Sequence, residues 1–334
     1  MLWQMTVNWN WVPIVIFLIY TGVLFIFYSS MKPIFYSFKL SRVLGIRVLH
    51  RIGLWIPDKA YLKAKYRLCM GKKLHLEHPK TFCEKLQWLK LYDRRPEYTI
   101  MVDKVKAKEY VASILGDDYI IPTLGVWDDP NKIDFDSLPD RFVLKCNHNS
   151  GRGMYICKDK SKMDVKKVKS ELKKGLKQNY YKYGREWPYK DVPRRILAEQ
   201  YIDPALDVKE LPDYKWYCFN GEPKYCQVIQ NRSTNETIDF FDTEWVHQDF
   251  FGLNPNARNA TVPPECPLNL LTHIQIAREL SKGLPFSRID LYETGEKTYF
   301  GEITFFPMSG MGKFHPDSYD DKFGDLIVLP TNDE

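Results

Sequence analysis

The first 31 residues carry no charged side chain, and Trp11-Val12-Pro13-Ile14-Val15-Ile16-Phe17-Leu18-Ile19-Tyr20 runs on through Val23-Leu24-Phe25-Ile26-Phe27-Tyr28. About 20 apolar residues, at roughly 1.5 Å each, cross a hydrocarbon core of about 30 Å, so this run predicts one transmembrane helix. Trp3, Trp9 and Trp11 at one end and Tyr28 at the other stand where interfacial aromatics belong. A cleaved signal peptide would need a basic leading region and a small-residue cleavage site, and a buried core helix of this length would show a polar face; the sequence has neither.

The flank sets the orientation. Lys32, Lys39, Arg42, Arg47, Arg51, Lys59, Lys63, Lys65, Arg67, Lys72 and Lys73 stand against Asp58 alone. The positive-inside rule then places a single-pass protein in the cell membrane, with a very short N-terminus outside and everything after the helix in the cytoplasm. Residues 35–62 mix aromatic, aliphatic and basic side chains, which suits either an anionic membrane surface or a solvated basic linker. The 334 residues hold 48 basic and 42 acidic side chains; without this collar 37 and 41 remain, so the net +6 reports topology and gives no reason to expect nucleic acid. Seven cysteines without a C-x-x-C pair read as reduced thiols. An apolar share of 44% excludes a disordered, collagen-like or disulfide-dense chain. The organisation expected is an anchor at 1–31, a basic juxtamembrane region at 32–79 and a folded body at 80–330.

In the body, Thr81 to Tyr92 reads as an amphipathic helix with Phe82, Leu86 and Leu89 on one side, and Val102 to Ile114 as a second helix. Strands follow at Ile120–Trp127, Phe142–Cys146, Met154–Cys157 and Ile196–Ile202. The lysine-rich stretch from Lys158 to Lys177 reads as a solvated helix. Asn220-Gly221 marks a hairpin between Tyr214–Phe219 and Lys224–Ile229. A helix over about Leu268 to Leu280 precedes two last strands, Arg288–Tyr292 and Thr298–Phe305.

Three features carry chemistry. Lys145 ends an apolar strand and precedes Asn147-His148-Asn149-Ser150-Gly151-Arg152-Gly153, a loop able to aim backbone N–H groups at phosphate beside a lysine point charge; the same residues would also make a plain surface hairpin. Asp290 and Glu302 lie on the two last strands. A three-residue loop, Gly295 to Lys297, sets them face to face, whereas a two-residue loop sends them to opposite faces. Opposed carboxylates repel unless a cation lies between them, and magnesium is the economical one. Arg288 shares the face of Asp290. Glu199, near the end of an apolar strand, either accepts from a nucleotide's ribose and base or pairs with Arg194 or Arg195. Lys215 either pairs with Asp213 or meets a phosphate.

Taken in order, Lys85-Leu86-Gln87-Trp88-Leu89-Lys90-Leu91-Tyr92-Asp93-Arg94, Asp103-Lys104, Leu138-Pro139-Asp140-Arg141-Phe142-Val143-Leu144-Lys145-Cys146-Asn147-His148, Asp213-Tyr214-Lys215-Trp216-Tyr217-Cys218-Phe219-Asn220-Gly221-Glu222-Pro223 and Phe300-Gly301-Glu302-Ile303-Thr304-Phe305 resemble the TupA-like ATP-grasp family of cell-surface polysaccharide and teichuronopeptide biosynthesis. The resemblance covers roughly residues 80 to 325. It implies an α+β ATP-grasp fold, two α+β subdomains gripping ATP, here preceded by the one N-terminal transmembrane helix. It further implies ATP and Mg²⁺ as cofactors. Lys145 would hold the α- and β-phosphates, and Asn147, His148, Ser150, Gly151 and Gly153 would belong to a loop closing over the triphosphate. Glu199 would lie in the hinge strand at adenine and ribose, with Lys215 facing the nucleotide and Arg288 at the γ-phosphate. Asp290 and Glu302 would bind the metal, with Thr304 where the superfamily usually has asparagine. The implied reaction activates a carboxylate as an acylphosphate that an amine attacks, joining an amine or amino-acid donor to a glycan or lipid-linked saccharide acceptor beside the bilayer. Two other readings stand against this amide-forming ligase. One is a glycosyltransferase, for which Asp134-Phe135-Asp136 has the letters of a metal-binding Asp-x-Asp; the other is a non-catalytic scaffold built on the same fold.

Overall fold

The computed structural model describes residues 34–204, 210–254, 258–295 and 297–330. The transmembrane prediction for 1–31 lies outside the described residues, and among those described no helix is long and apolar enough to cross a membrane. The chain divides into two units, one ending at Ile52 and the other beginning at Gly53. The first contributes helix α1 (Ile34–Ile52), whose Leu44, Val48 and Ile52 are exposed at i, i+4 and i+8, beside exposed Arg47 and Arg51.

The second unit opens with α2 (Asp58–Met70), α3 (Phe82–Tyr92), α4 (Glu97–Val102) and α5 (Lys106–Leu115). Thr81 and Glu84 form a reciprocal capping box that starts α3, which buries Phe82, Leu86 and Leu89. The single helix expected from Val102 to Ile114 is instead two helices. Asp103 separates them, because its Oδ1 accepts from the Val105 N–H at 3.0 Å and from Asn147 Nδ2 at 2.7 Å, replacing the helical backbone bonding there.

Next come β1 (Thr123–Trp127), β2 (Phe142–Cys146), β3 (Met154–Cys157), α6 (Val165–Leu176), α7 (Tyr180–Gly184) and β4 (Ile196–Gln200), the strands forming an antiparallel sheet in the order β1-β4-β2-β3. One face of this sheet buries Phe142, Leu144, Cys157, Ile196 and Ala198 against Val168 and Leu172 of α6. The register puts Lys145, Met154 and Leu197 in one row of the other face and Val143, Ile156 and Glu199 in the next. Met154 and Ile156 stay exposed there, so this face offers apolar surface beside a lysine.

The rest of the chain gives β5 (Asp213–Phe219), β6 (Glu222–Gln230), β7 (Thr237–Phe241), β8 (Phe251–Gly252), α8 (Leu270–Ser281), β9 (Phe286–Thr294), β10 (Lys297–Thr304), β11 (Phe314–His315) and α9 (Ser318–Asp325). A five-stranded antiparallel sheet runs β10-β9-β5-β6-β7. On one side of it Tyr214 meets His273 and Cys218 meets the Ala277 carbonyl of α8. Its other side is divided. Phe219 and Phe286, paired across β5 and β9, pack edge to face with Phe82 of α3 and Phe323 of α9, an apolar aromatic cluster. Farther along the same face, Lys215 is paired with Asp290, and the surface becomes ionic.

Candidate active site

The last hairpin turns in two residues, since β9 ends at Thr294 and β10 begins at Lys297. On that count alone Asp290 and Glu302 would point to opposite faces. They do not, because a bulge between Phe300 and Glu302 shifts the register by one: Phe300 opposes Leu291, but Glu302 opposes Asp290 and Thr304 opposes Arg288. The sequence reading reached the right pairing through the wrong loop length. Gly301 is the extra residue, and a side chain there would begin 2.9 Å from the Asp290 carbonyl oxygen, so only glycine permits the strands to approach this closely.

The bulge assembles one cluster. Arg288 donates through Nε to Asp290 Oδ1 at 2.6 Å, and through its Nη2 atom to Asp290 Oδ2 at 2.7 Å and to Thr304 Oγ1 at 3.1 Å. The same guanidinium lies 3.5 Å from Glu302 Oε1. Lys215 donates to Asp290 Oδ2 and sits 3.9 Å from Asp213, which itself pairs with Arg232 at 2.5 Å. Burial would raise the Glu302 carboxyl, but Lys104, Lys215 and Arg288 together hold it well below the usual carboxylate range. Glu302 still leaves 30% of its side chain open, the exposure needed to meet a ligand.

Across from this hairpin, Glu199 pairs with Lys145 at 2.5 Å and with Lys108 at 2.6 Å, and with neither Arg194 nor Arg195. Burial opposes its charge, but the two lysines keep the carboxyl below its ordinary value. Burial also lowers Lys108, against the pull of Glu199. One acid lies between Lys145 of β2 and Lys108 of α5, so this trio carries a net positive charge.

The loop after β2 splits into two functions. Ser150 and Gly151, with φ of +81° at Gly151, line a cavity of about 510 Å³ together with Asn149 and Arg152. Asn147 and His148 do not line it. Asn147 is a latch: it donates to Asp103 Oδ1 and the Pro193 carbonyl, and its own oxygen accepts from the Arg195 N–H at 2.7 Å. His148 is buried, its Nε2 is 3.1 Å from the Gln178 carbonyl, and burial lowers its pKa. Gly153 does not line the cavity either. It packs on α6, where a Cβ would meet Cys146 Sγ at 2.6 Å and the Gly175 Cα at 2.9 Å.

The cavity gathers Lys145, Lys215, Arg288, Asp290, Glu302 and Thr304 into one space. Sequence reasoning missed Lys104, which bridges the two sides by donating to the Asn149 carbonyl at 3.1 Å and pairing with Glu302 at 3.0 Å. It also missed Lys108, Tyr180, Glu186 and Tyr189. The one available signal was Asp103-Lys104, a charged pair interrupting an apolar helical pattern. Asp134-Phe135-Asp136 has no part in the cavity: Asp134 Oδ1 caps the Asp136 N–H at 3.1 Å, and Phe135 is buried in the small-sheet core.

Among the described residues no cluster of three or more His, Cys, Asp or Glu side chains is placed to hold a metal alone. Two carboxylates opposite one another nevertheless fit magnesium, which is held by one or two carboxylates plus substrate phosphates and waters. Asp290 and Glu302 are the residues that would hold it, with the Thr304 hydroxyl at their edge, and its positive charge would offset that of the phosphates.

The model of the family described as TupA-like ATPgrasp matches residues 84–328, most of the chain. The chain belongs to the TupA-like ATP-grasp family. The four-stranded and five-stranded sheets, with the cavity bounded by both, are the α+β ATP-grasp fold. No curated protein matches. Among solved structures, the D-alanine-D-alanine ligase of Bacillus anthracis complexed with ATP is similar at 17% identity and a TM-score of 0.40, covering 68% of this chain and 63% of that one. The D-alanine-D-alanine ligase of Helicobacter pylori follows at 12% and 0.40, covering 74% and 68%. A RimK domain ATP-grasp protein of Sphaerobacter thermophilus matches at 14% and 0.38, covering 71% of each chain. The TupA-like chain thus spans less than two thirds of the Bacillus anthracis ligase.

Proposed function

We propose that this TupA-like protein is an ATP- and Mg²⁺-dependent carboxylate-amine ligase. The observation that carries the reading is the bulged hairpin, which sets Asp290 and Glu302 opposite each other with Arg288 reaching both and Lys215 on the far side of Asp290, facing Lys145, Lys104 and the Ser150-Gly151 turn across one cavity. Phosphate transfer calls on two hard oxygen donors for a cation and several fixed positive charges, and it requires no covalent nucleophile from the protein.

The apolar Val143, Met154 and Ile156 offer a surface for the base, with Lys145 at the α- and β-phosphates. When the triphosphate enters, Lys145 exchanges part of its contact with Glu199 for phosphate oxygen, and Glu199 stays charged on Lys108. Arg288 and Lys215 turn from Asp290 toward the γ-phosphoryl group. That group moves to a substrate carboxylate, giving an acylphosphate. Amine attack on the acyl carbon then releases inorganic phosphate and leaves an amide. The chain's own contribution is positioning and charge stabilisation.

The substrates we propose are a carboxylate such as a uronic acid on a glycan or lipid-linked saccharide, and an amine or amino acid, in cell-surface polysaccharide biosynthesis. The uncharged run at 1–31 and the arginine-flanked apolar stripe of α1 support a membrane-anchored enzyme working beside a lipid-linked acceptor. Glu302→Gln tests the site: Mg²⁺-dependent ATP turnover should vanish while circular dichroism keeps the parent's folded spectrum. Unchanged turnover would overturn the metal assignment.

A further inference from the structure

One buried acid in the cavity wall has no place in the scheme above. Glu186 stands between α7 and the short turn Trp187–Tyr189, 4% exposed, and lines the cavity with Tyr180 and Tyr189. Opposite it the chain turns through Met308 and Ser309, at φ of +49° and +56°, a left-handed course that non-glycine residues rarely take. The fully buried Lys90 of α3 ties these walls together. Its ammonium donates to the Gly184 carbonyl at 2.8 Å, to the Ser309 carbonyl at 2.7 Å and to Ser309 Oγ at 3.0 Å, with Gln87 Oε1 at 3.2 Å.

Those contacts use every proton Lys90 has. Its charge therefore reaches Glu186 through space, and the direct partner of the carboxylate is the Ser309 hydroxyl. Among the described residues no cation forms an ion pair with Glu186. A buried carboxylate in a cavity wall, with one hydroxyl donor and no paired cation, has an open coordination direction for a positive group. Tyr180 and Tyr189 stand at the same wall, ring centroids 4.8 Å apart and edge to face, and aromatic faces favour cations.

We propose that the Glu186 carboxylate, flanked by Ser309 and the Tyr180–Tyr189 pair, is the seat of the second substrate's ammonium group and accepts its proton. The inference rests on the ligase reading and assigns the amine's place within it. The bound ammonium gives one proton to Glu186, and the freed nitrogen lone pair forms the bond to the acyl carbon. The bond from that carbon to the phosphate oxygen breaks, and phosphate leaves with the electron pair and takes the second N–H proton. Burial favours this role by raising the Glu186 carboxyl, while Lys90 on α3, Ser309, Lys65 on α2 and Arg288 on β9 oppose the rise.

Thallium(I), an ammonium-sized cation with anomalous scattering, probes the seat without turnover. Crystals of the full chain soaked in thallium(I) acetate should show a peak beside Glu186 that is absent in Glu186→Gln and kept in Glu186→Asp. No peak beside Glu186 in the parent, or one that survives Glu186→Gln, overturns the seat. In solution, with glucuronate or galacturonate as carboxylate and ammonium, methylamine or glycinamide as amine, Glu186→Gln should keep ATP affinity within about twofold and lose amine-dependent phosphate release at least 100-fold. Equal amine-dependent rates in parent and Glu186→Gln would overturn the proton-accepting role. Failure of the parent chain to bind ATP at all would instead sink the ligase reading, and the thallium result would still decide the cation seat.

Discussion

The two sheets solve opposite electrostatic problems with the same side chains. On the four-stranded sheet a single acid, Glu199, is shared by Lys145 and Lys108, so positive charge is in excess. On the five-stranded sheet the strand acids Asp213, Asp290 and Glu302 outnumber Lys215 and Arg288, and two cations from outside the sheet, Arg232 and Lys104, pair with Asp213 and Glu302. The first arrangement is complete as a fold and has a cation to spare for a polyanion. The second is held together by a guanidinium placed where opposed carboxylates would otherwise repel, and on the proposed function that guanidinium would yield its place to a metal. On the proposed function, the first surface would meet the nucleotide's phosphates and the second the cation they carry.

Substitutions on each side should separate the two roles. The largest effect belongs to the acid-rich side: Asp290→Asn should cut Mg²⁺-dependent ATP turnover by about 100-fold or more, read as kcat at saturating ATP. If the fall comes entirely through the KM for ATP, the distinction between the sheets fails. On the other side, Glu199→Gln leaves Lys145 and Lys108 without their acid and should cost about 3–5 kcal/mol of stability in denaturant unfolding. ATP should recover part of that loss, so the rise in Tm on adding nucleotide should exceed the parent's. The two lysines should then divide. Lys145→Ala should weaken ATP binding about 10- to 100-fold, the worth of one charge-assisted contact, whereas Lys108→Ala, which does not line the cavity, should change it by about threefold or less. Equal effects would mean that Lys108 also reaches the phosphates.

The smallest effect expected is on pH dependence. Glu302 and Glu199 both have carboxyls lowered by neighbouring cations. Their contribution to stability is therefore fully present above the unfolded glutamate value of about 4.3 and is lost as pH falls through their lowered values. Tm should stay flat in this respect from pH 7 to about 5 and fall only in stronger acid. The acid-side fall should be smaller in Glu302→Gln; an equal fall would show that other carboxylates dominate.

Much of this was legible in the chain because strand chemistry is local. Phe142–Cys146 and Met154–Cys157 have the expected bounds, and the Asn220-Gly221 hairpin forms where its turn residues say it should. Lys145, Lys215, Arg288, Asp290 and Glu302 meet because strand periodicity and pairing determine which face each one takes. The losses have physical causes too. A glycine-containing loop does not say which of its residues turn inward: Ser150 and Gly151 line the cavity, whereas Asn147 and His148 are buried and held by hydrogen bonds and Gly153 packs on α6. Lys104 and Lys108 sit in and beside short helices, where a lysine reads as solvated until its neighbours across the fold are known. Glu186 lies in irregular chain with no periodicity to reveal that it is buried.

The extra residue at Gly301 has an evolutionary consequence. A turn one residue longer would reproduce the same facing of acids without any bulge, so turn length and bulge are interchangeable solutions to one geometric requirement. Insertions and deletions within residues 291–301 should therefore occur in compensating pairs. A relative with a three-residue turn is free to drop the glycine, and one that changes only the turn or only the bulge should have lost its metal-dependent chemistry.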